Sequence, residues 1–267
     1  MTIKEMKERK RELGLTYEKL SELSGVPLGT LQKVFTGATR SPRYETLLAL
    51  ERVLGKDVYG MDNMIREAQP EYGTKKRQGE FTLEDYYEIP DDIRVELIDG
   101  VLYTMNAPTS AHQMIGGLIY TKLMNYVMQK KGKCLPMISP IDVQLDCDDK
   151  TMVQPDVVIV CDRDKVIMRC VYGAPDFVVE VLSKSTKKKD SVVKLHKYMN
   201  AGVREYWMID PYRKVVIVYN FESDIYPIIY GFNAKIPVGI WGENCVIDFN
   251  EIYEYIQFLY EDEKEDM

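Results

Sequence analysis

Histidine is nearly missing from this chain, with two residues in 267, at positions 112 and 196. Cysteine is sparse as well, and the five residues at 134, 147, 161, 170 and 245 include no C-x-x-C pair. Together these exclude the usual Cys/His zinc site, and the odd, scattered set fits buried free thiols in a reducing compartment. No apolar run approaches the length of a membrane span. The opening MTIKEMKERKRELG is charged throughout and holds no apolar segment, which excludes a secretory leader. The expectation is a soluble cytoplasmic protein with no membrane partner. Excess positive charge is also missing: the net charge of −7 argues against a chain coated in nucleic acid.

What is present is uneven. Residues 1–60 carry 11 Lys and Arg against 8 Asp and Glu, so the acidic excess lies entirely in the remainder. A basic front end on an acidic body suggests separate tasks. We therefore expect three parts: a helical domain over 1–60, a connector over 61–79 and a second domain over 80–267.

The front domain reads as four short helices. Thr2 and Glu5 have capping-box spacing, and Ile3, Met6, Lys10 and Leu13 step along one helix face. Thr16 caps a helix carrying Leu20 and Leu23, and Gly25 supplies a tight turn. A third helix, Leu28–Phe35, turns Leu31, Val34 and Phe35 inward and leaves Gly29, Thr30, Gln32 and Lys33 outward. Ser41-Pro42 opens a fourth, with Leu47, Leu50 and Leu54 on its apolar face. Helix, glycine turn and polar-faced helix suit a major-groove reader. The stretch LTYEKLSELSGVPLGTLQKVFTG resembles the Cro/repressor-type (XRE) helix-turn-helix family, over about residues 2–56. The resemblance implies sequence-specific DNA binding, and by position it gives Tyr17, Thr30, Gln32 and Lys33 as base- and phosphate-facing residues. Lys33 and Arg40 would clamp the backbone. Leu28 and Gly29 depart from the family, which usually carries polar residues there. A four-helix module that binds protein is the alternative reading.

In the connector, Pro70, Gly73, Gly79 and the Lys75-Lys76-Arg77 triplet point to exposed chain. Beyond it, Thr82 precedes a short helix in LEDYYEI, and RVELIDGVLYTM reads as a hairpin about Asp99-Gly100. A long helix begins at Ser110, runs to about Lys131 and holds His112 in its first turn. The informative stretch is Met152–Lys194. Val157–Cys161 and Phe177–Leu182 are buried strands, each introduced by a Pro-Asp pair. Antiparallel pairing would bring Asp156 beside Glu180. Glu180 is a carboxylate inside FVVEVL, and an isolated buried charge costs several kcal/mol. A divalent cation, an Arg or Lys partner, or an edge strand in water would each relieve it. A lysine-rich run follows, and residues 190–201 read as a helix that spaces Lys194 and Tyr198 by one turn.

The motifs VELIDG, VQPDVVIV, GAPDFVVEVLSKST and KLHKYMNAGVREYWMIDP, taken together, resemble the Uma2 family, a branch of the PD-(D/E)xK nuclease-like superfamily, over about residues 80–221. The resemblance implies a restriction-endonuclease-like α/β (α+β) core, a mixed sheet flanked by helices. It also implies an endonuclease that hydrolyses phosphodiester bonds with Mg²⁺ or Mn²⁺. Position by position it makes Asp156, Glu180 and Glu96 the metal-binding carboxylates. The superfamily lysine is displaced, since Leu182 stands where it should be. Lys194 on the next helix takes its place and Lys184 is the second candidate, with His112 and Tyr198 in support. DNA is the expected partner, and two-fold pairing on half-sites implies a homodimer. Leu182 keeps open a DNA-binding regulator whose nuclease-like domain is inactive.

Overall fold

The computed structural model describes Ile3, Met6, Lys7, Lys10 and residues 16–36, 39, 42, 44–54, 76–90, 92–183, 193–223 and 226–260. The chain divides into two compact units, 1–69 and 70–267.

In the first unit, α1 (Tyr17–Ser24), α2 (Leu28–Thr36) and α3 (Tyr44–Leu54) surround Met6, Leu20, Leu31, Val34, Phe35, Leu50 and Leu54. The turn between α1 and α2 needs Gly25, whose φ of 67° is costly for a residue with a Cβ. Ser21 Oγ donates to Val26 O at 2.7 Å and closes the turn.

In the second unit, α4 (Leu83–Glu88) starts at Thr82, whose N–H donates to the Asp85 carboxylate at 2.7 Å. Strands β1 (Val95–Ile98) and β2 (Val101–Thr104) form the expected hairpin. Its turn residues both have positive φ, 51° at Asp99 and 75° at Gly100, as a tight type I′ connection requires. The helix α5 (Ser110–Lys130) follows, N-capped by Thr109. Next come β3 (Leu135–Ile138), β4 (Val143–Gln144), β5 (Val157–Val160), β6 (Val171–Tyr172), β7 (Phe177–Val181), α6 (Leu195–Ala201), β8 (Glu205–Asp210) and β9 (Val215–Asn220). The chain continues through β10 (Ile228–Gly231), β11 (Lys235–Pro237), β12 (Val246–Asp248) and α7 (Phe249–Ile256).

The main sheet has six strands in the order β10-β9-β8-β7-β5-β3. It is mixed, because β7 and β8 run parallel through the crossover α6 while the other neighbours are antiparallel. Strand β7 lies in the middle and is buried on both faces, which is why its sequence, Glu180 apart, is apolar without alternation. One face, with Val157, Ile159, Phe177, Val179 and Trp207, packs against Ile115, Ile119 and Leu123 of α5 and Phe249 and Ile252 of α7. The other, with Val158, Val160, Val178 and Leu182, meets Tyr198 of α6, Val203 and Ile98 of the hairpin.

Two details differ from the sequence reading. Residues 76–79, read as connector, are bonded to the second unit: Gly79 N donates to Gly100 O at 2.8 Å, and Lys76 pairs with Asp85 at 2.6 Å. Cys134 and Cys161, expected as free thiols, form a disulfide. The antiparallel register Leu135↔Val160 sets these two cysteines opposite each other, a relation that sequence spacing does not reveal. Among the described residues, no helix is long and apolar enough to cross a membrane.

Candidate active site

The two Pro-Asp steps turn out to be reciprocal staples. Strands β5 and β7 pair antiparallel with Val157 opposite Val179, so the residue before each strand sits beside the end of its neighbour. Asp156 Oδ2 accepts from Val181 N at 2.7 Å, and Asp176 Oδ2 accepts from Cys161 N at 2.7 Å. Their outward sides differ. Asp176 pairs with Arg204 at 3.2 Å, whereas Asp156 lies 3.2 Å from His112 Nε2, in the first turn of α5.

Glu180 follows strand alternation onto the α6 face, in phase with Val178 and Leu182. Its Oε1 accepts from Lys194 Nζ at 2.7 Å and from Tyr198 OH at 2.6 Å. Both donors reach one oxygen because positions four apart share a helix face. The same Lys194 Nζ lies 2.6 Å from Glu96 Oε1, which also accepts from Gln154 N at 2.9 Å. This network is dry: side-chain exposure is 0% for Glu96, 2% for Lys194 and 5% for Glu180. Lys194 stands at the start of α6, where a cation opposes the helix dipole, so its placement reflects the carboxylates. Of the three ways to relieve Glu180, the geometry realises the lysine partner, with the tyrosine hydroxyl beside it.

Asp156 and His112 open onto a cleft of about 350 Å³, whose walls also include Arg94, Ser139, Ser183 and Tyr212. Glu96, Glu180 and Lys194 do not line it; they lie in the interior beside it, joined through Val181, which follows Glu180 and bonds Asp156. The expected residues thus fall into a buried group of Glu96, Glu180, Lys194 and Tyr198 and a cleft pair of Asp156 and His112. Lys184 lies outside the described residues. Among those described, no three His, Cys, Asp or Glu side chains are gathered closely enough to hold a metal ion. The donor chemistry is nonetheless that of a hard divalent cation: the carboxylates of Asp156 and Glu180 and the carbonyl of Val181 are all oxygen donors. The Lys194 ammonium competes for them.

Arg94 and Gln154 carry much of the remaining polar order and escaped the sequence reading. Arg94 donates from Nε and Nη2 to Gln154 Oε1 at 3.2 and 2.8 Å, and from Nη2 to Ser139 Oγ at 3.0 Å. Gln154 Nε2 donates to Tyr86 OH and Asp142 Oδ1, each at 3.0 Å.

In the first unit, Gln32 and Lys33 are exposed on α2 and Thr30 is half-buried. Tyr17 is also half-buried, its ring edge-on to Phe35 with centroids 5.8 Å apart, and Lys10 Nζ lies 4.2 Å above it. Arg40 lies outside the described residues.

Residues 6–60 match the helix-turn-helix family model, and residues 83–231 match the Uma2 model, described as "Putative restriction endonuclease". No curated protein matches. The fold is similar to a crystal structure of "a putative nuclease belonging to DUF820" from Anabaena variabilis ATCC 29413, with a TM-score of 0.56 and 16% identity over 66% of this chain and 99% of that one. With more than half of its length covered by that family model, and a helix-turn-helix ahead of it, the chain belongs to the Uma2 restriction-endonuclease-like family.

Proposed function

We propose that this protein is a DNA-targeted, divalent-metal-dependent endonuclease. The observation that carries the reading is the convergence of Glu96 and Glu180 on the buried Lys194 nitrogen, next to a cleft fronted by Asp156 and His112. Asp156, Glu180 and the Val181 carbonyl would hold Mg²⁺ or Mn²⁺, with Glu96 in support. Such an ion polarises a phosphoryl oxygen and lowers the pKa of bound water.

The chain's own groups do the rest. Asp156 is fixed by the Val181 N–H, so its carboxylate presents a defined direction to the cleft. Tyr198 and Lys194 hold Glu180 Oε1 from the α6 side and set the carboxylate plane. Lys194 balances charge between Glu96 and Glu180, and it is the ammonium that would orient the attacking water or neutralise charge building on phosphorus. His112, within reach of Asp156, positions phosphate. The helix-turn-helix unit would choose where cutting happens, through Thr30, Gln32, Lys33 and Arg40, with Tyr17 supporting α2. Two copies of the chain would read two half-sites as a homodimer.

The test is supercoiled plasmid incubated with Mg²⁺ or Mn²⁺. Nicking should need the metal and vanish in D156N and E180Q purified in parallel. Cutting that persists undiminished in both variants would sink the assignment. A second reading, a DNA-binding regulator with an inactive nuclease-like domain, draws on Leu182 at the superfamily lysine position and on Lys194 already engaged by two carboxylates. Under that reading the wild-type protein shifts DNA but never nicks it with any divalent ion.

A further inference from the structure

Arg94 stands out among the groups lining the cleft. Its guanidinium is half-buried, and the acceptors it contacts, Gln154 Oε1 and Ser139 Oγ, are neutral. Among the described residues, no carboxylate lies within ion-pair distance of it. Its Nη1 N–H groups are engaged by none of the bonds these residues make. Burying a cation against neutral acceptors leaves its charge uncompensated, which an arriving anion would correct. A guanidinium offers a planar fork matched to phosphate oxygens. His112 stands on the same cleft, and the first turn of α5 carries no acidic residue.

We infer that Arg94 is the phosphate clamp of this cleft, taking a backbone phosphodiester of the nucleic-acid strand. The inference rests on the hydrolase reading for the identity of the strand. Gln154 is the positioning residue. Its side-chain carbonyl holds Arg94, while its main-chain N–H holds Glu96 Oε1 at 2.9 Å. One residue therefore sets the clamp in register with the buried carboxylates.

The experiment uses the full chain with dTpdT, which has one internal phosphodiester and is too short to span a helix-turn-helix half-site. Calorimetric titration in EDTA should show binding to wild type. Affinity should fall roughly tenfold or more in R94Q, the range for loss of a charged hydrogen bond, with partial retention in R94K. In wild type, dTpdT should also slow phenylglyoxal modification of Arg94, read by peptide mass spectrometry. Unchanged affinity in folded R94Q overturns the clamp. Unprotected Arg94 in wild type overturns it as well, even if R94Q fails to fold. Inorganic phosphate that protects Arg94 where dTpdT does not would overturn the nucleic-acid assignment. Arg94-dependent dTpdT binding without plasmid nicking removes the hydrolase reading and leaves the clamp standing. Nicking undiminished in R94Q does the reverse.

Discussion

Replacing Lys194 with methionine keeps the apolar stem and deletes the ammonium shared by Glu96 and Glu180. Both acceptor oxygens lie on one nitrogen, at 2.6 and 2.7 Å, so they can be no farther apart than those two distances laid end to end. Two like charges about 5 Å apart repel by about 3 kcal/mol at an effective dielectric near 20. Removing one partner of a buried ion pair costs about 3–5 kcal/mol in general, so two routes give the same size. For a domain whose whole stability is of order 5–15 kcal/mol, that is a large fraction. Urea unfolding followed by tryptophan fluorescence is the assay. Both tryptophans, Trp207 and Trp241, lie in the second unit, so the signal reports that unit alone. K194M should lose about 3–5 kcal/mol at neutral pH, and Mn²⁺ should return part of the loss by taking up the same carboxylates. The control is K122M, which breaks the more exposed Lys122–Glu251 pair and should change stability by about 0.5 kcal/mol or less. If K194M behaves like that control, the ammonium does not hold the carboxylates and the site has been misread.

Four further outcomes follow from the same geometry. Y198F keeps the ring contact with Tyr206 but removes the hydroxyl from Glu180, and should cost about 1–3 kcal/mol in the same unfolding assay. G100A places a Cβ against the Gly79 backbone at a φ of +75°, and should lower stability by about 2 kcal/mol or more, read as a fall in Tm. Under native conditions at pH 8, Cys147 is exposed and should react quickly with Ellman's reagent. Cys245 should stay silent until unfolding, because burial and the nearby Glu205 push its thiol up to about 11. Finally, burial raises the Glu205 carboxyl above its ordinary 4.5, against the pull of donors from Gly239, Trp207 and Ile240. A raised acid favours the fold in its neutral form. That contribution is complete below pH 4.5 and is lost as pH climbs toward the folded value, so wild-type Tm should carry a downward slope there that E205Q lacks.

Local chemistry made much of this legible in advance. Asp99-Gly100 specified a hairpin because few other dipeptides tolerate two positive φ angles. The Pro-Asp strands announced themselves through their apolar runs, and antiparallel pairing was enough to place Asp156 beside the Glu180 end of β7. One-turn spacing put Lys194 and Tyr198 on a common face. What stayed open was which group compensates Glu180, since a lysine fourteen residues away reaches it only through the path of α6 across the sheet. The Cys134–Cys161 bond depends on the β3–β5 register, which spacing does not encode. Arg94 and Gln154 carry no such local signal, because a single polar residue beside a strand looks like ordinary surface until the chain folds around it. Glu205, inside REYWMID, has no local sequence signal for its partners, and its burial arises from a segment more than thirty residues later folding over it, where Ile240 donates to its carboxylate at 2.9 Å.

The twin fastening of β5 to β7 bears on how relatives of this protein should be judged. Asp176 ties a strand end away from the cleft, and Asp156 performs the same mechanical service while facing it. Selection for a stable sheet alone would retain both. A relative without nuclease activity would still display its Pro-Asp steps, so a search keyed to that dipeptide recovers architecture. Activity would have to be inferred from residues whose loss the sheet could survive.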